Sequence, residues 1–523
     1  LRQMQGWGPV LQLSHHASGS AAYTLDLSFD GPYMALDVRS DLRGLQLDWP
    51  APLHKPADSA WPLHYQQQAR PDGERLQLSV DSLLRVDYAW DADSNPPSLR
   101  GALALGQAAQ QALELPTRGI TARVQLPALD LDAWRQALAE VPAAEDPDTA
   151  PVLAPGQLPD HWTLEIGQLQ LAQRHWHDIT LQARQQNGHW GAQLQGRELA
   201  GRIEYNSPTT AAQAGALQAQ LSRLHLPKAL DTEPSEPAPP RTDERLPALD
   251  VHVTDFRLHE LPLGQLQVQA HNQSSDLWEL SRLDLQNPDA HFSATGHWGS
   301  PASPDHTDLD FKLDVRHAGK LLERLGMEGV LRGGQGSLEG QVSWRGSPLE
   351  LDYPSLQGEL ALDIGAGQFL KTEPGVAKLL GVLSLQALPR RLSLDFRDVF
   401  SAGFAFDFVR GNALIRSGVL HTNNLQMKGV NAAVLMDGSA DLQHETQQLR
   451  VLVVPEIDAG TAALAAGVIN PAIGIGAFLA QLILKQPLMQ AATREFEISG
   501  SWDSPQIEAI PRPVEPAPDP LLN

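Results

Sequence analysis

The sequence predicts a mainly all-β protein: an elongated, curled antiparallel β-groove with an apolar interior, few short helices, and a helical cap near the C-terminus. Three observations lead there: a two-residue hydrophobic beat along the whole chain, a scarcity of helical sequence, and a faint internal repeat. Leu309-Asp310-Phe311-Lys312-Leu313-Asp314-Val315-Arg316 sets an apolar residue at every second position with a charged one between. Successive side chains of a strand point to opposite faces, so such a segment has one apolar face and one wet face. The beat returns in Leu25-Asp26-Leu27-Ser28-Phe29-Asp30, in Leu45-Gln46-Leu47-Asp48-Trp49 and in Leu392-Ser393-Leu394-Asp395-Phe396-Arg397.

Helical sequence is confined to short stretches. Residues 319–326 suit a helix ended by Gly326. Residues 374–388 suit another, opened by Pro374 and closed by Pro389. The Ala- and Gln-rich stretch 107–113 forms a third candidate. All three read as lids or end plates on a sheet, not as crossover helices of a parallel α/β fold.

The repeat sets Leu164-Glu165-Ile166-Gly167-Gln168-Leu169, then Ile179-Thr180-Leu181-Gln182-Ala183, then Trp190, beside Leu249-Asp250-Val251-His252-Val253, then Leu266-Gln267-Val268-Gln269-Ala270, then Trp278. An offset of roughly 85 residues belongs to arrays that grow along one axis. With a strand every ~15 residues the chain holds roughly 35 strands, and a single ribbon of them runs on the order of 150 Å. Two segments read as flexible connections: 143–156, rich in Pro, Ala and acid, and 231–246, with four prolines between Asp231 and Arg245. The expected organisation is a groove segment over 1–142, groove repeats over 157–230 and 247–306, a C-terminal region over 307–510 with apolar helices near 459–489, and a disordered tail over 511–523.

At 523 residues the chain exceeds one compact core. Lys plus Arg number 39 against 62 Asp plus Glu, a net charge of −23 that repels phosphate backbones and excludes nucleic acid as a partner. There is no cysteine, so disulfides, thiolate catalysis and Cys-ligated metals are ruled out. The first residue is Leu1, already in strand-like sequence and without a signal peptide, so the chain is expected to be a piece of a longer protein.

Residues 459–484 carry no charge over 26 positions, the length of a membrane span. Gly460, Gly467, Gly474, Gly476 and Pro471 break the run, and Asn470-Pro471 is a turn or helix-start signal, so two short apolar helices fit better than one span. They either plug the open end of an apolar sheet or meet a bilayer there; Val468, Ile469, Ile473, Ile475, Phe478, Leu479 and Leu482 are the candidate membrane-contacting tip.

No catalytic or metal pattern emerges. His175 and His177 share a strand face without a third ligand, and His444-Glu445-Thr446-Gln447-Gln448 lacks the second histidine of a zincin helix. Asp91-Ala92-Asp93-Ser94-Asn95 mimics a calcium loop, but Pro96 stands where glycine must turn and Ala102 where the bidentate glutamate is needed. The glycines of 333–340 miss the phosphate-binding spacings and read as a bulge or tight turn. Asp130 and Asp132 read as a helix N-terminus before Trp134 in preference to a catalytic carboxylate pair. No cofactor or metal is expected, and an enzyme is not.

The later half carries a more specific signature. Gly367-Gln368-Phe369-Leu370, Glu373-Pro374-Gly375, the run Ser384-Leu385-Gln386-Ala387-Leu388-Pro389-Arg390-Arg391-Leu392, then Leu394-Asp395-Phe396-Arg397-Asp398-Val399-Phe400 and Gly403-Phe404-Ala405-Phe406-Asp407 resemble the C-terminal region of the AsmA-like superfamily, of the YhdP type. Val453-Val454-Pro455-Glu456 and Ile469-Asn470-Pro471 also look like family positions, and Leu129-Asp130-Leu131-Asp132-Ala133-Trp134 resembles the family more loosely. The resemblance implies a long β-groove anchored in the inner membrane of Gram-negative bacteria, reaching through the periplasm to the outer membrane and moving phospholipids between the two.

The residues support that implication independently, because an apolar trough lets acyl chains travel out of water. Leu309, Phe311, Leu313, Val315, Leu392, Leu394 and Phe396 are the candidate groove-lining positions, with ordinary sandwich core as their plainer account. The rival function is an assembly factor that guides outer-membrane proteins by strand addition at an exposed sheet edge.

Overall fold

The computed structural model describes residues 16–92, 98–139, 159–208, 214–229, 246–274, 277–299, 306–348, 351–370, 404–429, 432–455 and 493–510. They fall into two units, Leu1–Glu260 and Leu261–Asn523. Among the described residues there are 29 strands and two α-helices, α1 (Leu131–Ala139) and α2 (Ala318–Arg324).

In the first unit one sheet takes in successive strands from Tyr23–Asp30 to Ala248–Leu258, each hydrogen-bonded to the next along the line. In the second unit the line runs from Leu261–Asn272 to Pro505–Ala509. No described pairing joins the first strand of either line to its last, so each sheet is open.

The two-residue beat builds these sheets because it gives every strand an apolar side to share with its neighbours. In the first unit Leu25, Val38, Tyr65, Leu78, Val86, Leu103 and Ala122 lie opposite one another in register across seven strands. Elsewhere in the two sheets tight turns fix the register. Asn187-Gly188, with φ of 52° and 79°, joins Arg174–Gln186 to His189–Gln195, and Ser417-Gly418, with φ of 49° and 76°, joins Phe404–Arg416 to Val419–Gly429. Two consecutive left-handed residues match the right-handed twist of the flanking strands, and glycine takes the second place without steric cost.

The antiparallel pattern expected throughout is interrupted three times. Gly119–Asp130 runs parallel to both Ser98–Gly106 and His161–Leu171, and Ala216–Leu226 runs parallel to Ala248–Leu258. A parallel neighbour requires a crossover, and the connections 107–118, 131–160 and 227–247 supply them. Residues 143–156 and 231–245 belong to these connections and lie outside the described residues.

Two helix expectations meet the structure. Residues 319–326 yield α2, with Gly326 at φ 83° just past its end. Residues 107–113 yield only a 3-10 turn, Gln107–Gln110, because Ala108 and Ala109 are buried against Ala104 at the sheet corner and the stretch is too short to nucleate an α-helix. The stretch 374–388 lies outside the described residues.

Helix α1 starts where the two aspartates stand. Asp130 accepts the backbone N–H of Ala133 at 2.9 Å as its N-cap. Asp132 instead reaches the hairpin after His161–Leu171, accepting the N–H groups of Ala172 and Gln173 at 2.9 and 2.8 Å and holding both in left-handed conformation. Trp134 stacks on buried Trp49, with ring centroids 5.5 Å apart, and donates its indole N–H to Ala51. Trp49 follows a small separate sheet of Ala17–Gly19, Leu45–Asp48 and His54–Lys55. Lys55 in that sheet is fully buried, and its ammonium donates to the carbonyls of Leu45, Pro56 and Ser59 at 2.8, 3.1 and 2.7 Å. Burial holds its ammonium below the usual lysine range.

The polar faces are laced by histidine–carboxylate and arginine–carboxylate pairs between neighbouring strands. His64 meets Asp37 at 2.9 Å, His225 meets Asp255 at 2.8 Å, His291 meets Asp284 at 3.0 Å and His297 meets Asp308 at 3.1 Å. Arg75 grips Asp87 through two nitrogens at 2.9 and 2.6 Å. Hydrogen bonds from His64 and then Gln66 hold the Asp37 carboxyl down at about 2. The Asp255 carboxyl is lowered chiefly by His225. At Asp284 burial raises the pKa, but the bonds from Arg282 and His291 outweigh it.

Replacing Lys55 with Met strands three carbonyls and is expected to cost about 3 kcal/mol locally. Hydrogen exchange should show the Leu45–Asp48 amides losing roughly two orders of magnitude of protection while Leu63–Arg70 keeps its own. The lowered carboxylates set a pH dependence with a definite sign. Their native pKa lies below the unfolded value, so the stability they contribute is complete above about 4 and drains away as pH falls toward 2. The urea midpoint should therefore drop between those limits, and Asp37→Asn should make that drop shallower.

Candidate functional site

The strand His306–Val315 shows how the candidate surface is made. Thr307, Leu309, Phe311, Leu313 and Val315 share one face, while Asp308, Asp310, Lys312 and Asp314 take the other. Register sets Phe311 between Ala294 and Gly340, and Leu313 between Phe292 and Leu338. Leu309 lies between Gly296 and Val342 in the same way. Small residues beside large ones leave room for rings to lie flat. A Cβ on Gly340 would come within 3.3 Å of the Phe311 ring. Phe311 stacks on Phe292 with centroids 5.9 Å apart.

The face extends to both sides through Val268, Leu283 and Ala294 upstream and through Gly340, Leu360 and Ala413 downstream. None of these positions is charged. Leu266, Val268, Leu283, Leu285, Phe292, Leu309, Phe311, Leu313, Leu338 and Leu360 are only half-buried. This apolar surface is contiguous and only partly covered, with Leu309, Leu313 and Leu360 packed at its margins against buried clusters, and such a surface marks a place where an apolar partner fits.

Each end of this face has a boundary. At one end Trp278, Trp298, Thr307 and Trp344 stand in register as a rim. Trp344 donates to the Ser347 carbonyl at 3.1 Å and Thr307 to the Gly346 carbonyl at 2.7 Å. At the other end α2 packs Leu321 and Leu322 against a cluster that includes buried Val315 and Leu331. Buried Asp289 anchors that helix: Arg324 donates to it at 2.7 and 3.2 Å and His317 lies 3.4 Å away. Burial works against the Asp289 charge, yet the Arg324 bonds keep its carboxyl below the ordinary range.

Downstream the same face closes. Met427, Val434, Met436, Val451, Phe496 and Ile498 join Phe369, Phe404 and Phe406 in one buried cluster. The opposite, polar face forms a hollow of about 1020 Å³, lined among others by Glu339, Gln341, Glu359, Asn412, Asp437 and Arg450. Burial raises the Asp437 carboxyl above the usual range. Ala361, Leu414 and Ile510 share the hollow's lining with these polar groups.

In the first unit the corresponding apolar face begins at Tyr23–Asp30. Tyr23, Leu25, Leu27 and Phe29 are 49–68% exposed there, and no strand pairs with the outer edge among the described residues. Further in, Ile166, Trp176 and Ile179 are buried with Leu164 and Leu199 packed around them.

Of the positions singled out from sequence, Leu309, Phe311 and Leu313 lie together half-buried on one face, and Val315 is buried at the α2 end. Leu392, Leu394 and Phe396, and the tip residues Val468, Ile469, Ile473, Ile475, Phe478, Leu479 and Leu482, lie outside the described residues. The sequence reading missed Phe292, Leu338 and the tryptophan rim, whose strands have weaker alternation. Their signal was the two-residue spacing of Ala290, Phe292, Ala294 and Gly296, masked by its small residues. Among the described residues no group of three or more His, Asp or Glu side chains could hold a metal, and no helix is long and apolar enough to cross a membrane.

The family model described as YhdP protein matches residues 1–507. The chain is 26% identical over 526 aligned residues to the intermembrane phospholipid transporter YhdP of Escherichia coli (strain K12), an alignment that covers 95% of this chain and 39% of that protein. It thus spans about two fifths of that relative's length. No solved structure matches. With the family model matching residues 1–507 of its 523, this chain belongs to the YhdP family.

Proposed function

We propose that the chain is part of a non-enzymatic conduit that carries phospholipids between the inner and outer membranes of a Gram-negative envelope. Acyl tails lie on the apolar face and head groups stay in water. The observation that carries this reading is the uncharged, half-open face running through Leu283, Phe292, Phe311, Leu338 and Leu360. Each methylene moved from water onto such a surface gains up to ~0.8 kcal/mol, so a tail is held by many small increments and can slide without breaking a specific bond. The Escherichia coli relative, an intermembrane phospholipid transporter, points the same way. On this reading Leu309, Phe311, Leu313, Leu392, Leu394 and Phe396 line the path and Val315 closes its lower margin. The groove repeats 157–230 and 247–306 are joined by the linkers 143–156 and 231–246. The chain works in the periplasm as part of a protein held in the inner membrane, and the apolar residues of 459–484 meet the outer membrane.

The strand-addition alternative has one supporting observation, the unpaired outer edge of Tyr23–Asp30 among the described residues. A single experiment separates the two. Phe311→Asp puts a charge on the apolar face, and Asp310→Ala alters only the polar face of the same strand. Native mass spectrometry after incubation with phospholipid vesicles should show bound lipid reduced at least about fivefold for Phe311→Asp and unchanged for Asp310→Ala. Equal lipid on both proteins would defeat the conduit, and capture of barrel proteins at Tyr23–Asp30 would favour assembly.

A further inference from the structure

We infer that, within residues 261–510, the part of the apolar face open to an acyl tail ends at the strand Gln357–Phe369, and that the strands beyond it form an end wall. This rests on the phospholipid reading of that face and adds where the path stops.

Four observations place the boundary. Burial changes along a single face: Leu283, Phe292, Phe311, Leu338 and Leu360 are half-buried, whereas Val434, Val451 and Ile498 are 0% exposed. Side-chain size changes with it. Upstream the face interleaves Ala290, Ala294, Gly296, Gly336, Gly340 and Gly358 with its large residues. Downstream Met427, Val434, Met436, Val451, Val453 and Phe496 fill the equivalent rows. A close-packed interior admits extra methylenes only by forcing its side chains out of position.

The third observation is two-sided burial. Ala433, Leu435, Leu452 and Val454 lie on the opposite face of the same strands and are buried too. The runs 432–436 and 451–454 are accordingly apolar at every position, as in strands covered on both sides. This part of the sheet is an inner layer and not a lining.

The fourth is the sheet's geometry at the boundary. Register shifts occur between Phe406 and Phe408, between Arg410 and Leu414, and between Thr422 and Leu425. Such bulges bend a strand, increase its twist and re-aim its side chains. Phe404 and Phe406 thereby join the buried cluster, with Phe406 5.1 Å from Phe369, and α2 adds Leu321 and Leu322 to the same corner. A tail moving along the face meets this plug and leaves sideways, over the strands Gly336–Arg345 and Gln357–Phe369, instead of following the sheet to its last strand.

The test uses the unaltered chain with vesicles of a phosphatidylethanolamine bearing a diazirine in its acyl tail. After photolysis, adducts are mapped by peptide mass spectrometry. Adducts should fall on peptides covering 261–362, at least about tenfold more often than on those covering 419–454 and 494–509. Comparable labelling on 419–454 overturns the end wall and leaves the lipid path standing. Absence of adducts from the whole chain overturns the lipid path and the boundary with it.

Discussion

The structure depends on one constraint: a strand with period-two patterning buries one face only, and an open sheet of such strands must find something to cover that face. In a sandwich the cover is a second sheet. In these units the line of strands stays open, and the apolar rows are half-exposed where glycine and alanine punctuate them and buried where valine, methionine and phenylalanine fill them. The same alternation, written with different side-chain volumes, therefore yields a surface that can receive a guest and a core that cannot.

The wet face answers a different requirement. A chain with net charge −23 brings many carboxylates onto one side of a sheet, where like charges on neighbouring strands repel. Histidine and arginine stand opposite many of them, as at His64 and Asp37 or Arg75 and Asp87. Exposed pairs of this kind contribute little individually. Their effect is to relieve repulsion along the ladder so that the hydrophobic rows on the other side can set the register.

The parts that depart from simple alternation are those that close edges and ends. The small sheet around Lys55, tied to α1 through Trp49 and Trp134, lies at one interruption of the antiparallel pattern. Helix α2, fastened by Asp289 and Arg324, lies across the end of the open face in the second unit. Each uses a buried charge held by directional bonds, three from Lys55 to carbonyls and two from Arg324 to Asp289, where an apolar contact would suffice for adhesion. Directional bonds fix the position of a short helix or loop, and non-directional hydrophobic contact does not.

The sequence by itself determined the all-β class, the faces of strands such as His306–Val315, the α2 helix before Gly326, the helix start at Asp130, and membership of the family. Each is encoded locally, in a spacing of two, a cap residue, or a contiguous string such as Ser384 to Leu392. Even the Asn187-Gly188 turn was legible in principle, because two left-handed residues in a row are a local demand. The tertiary structure alone decided which strands run parallel, because that depends on where a crossover lands and not on the strand's own residues. It alone set the tryptophan rim and the partnership of Asp132 with a distant hairpin. It alone divided the apolar face into open and sealed parts: patterning says which way a side chain points, while the volume left beside it depends on neighbours that chain order does not reveal.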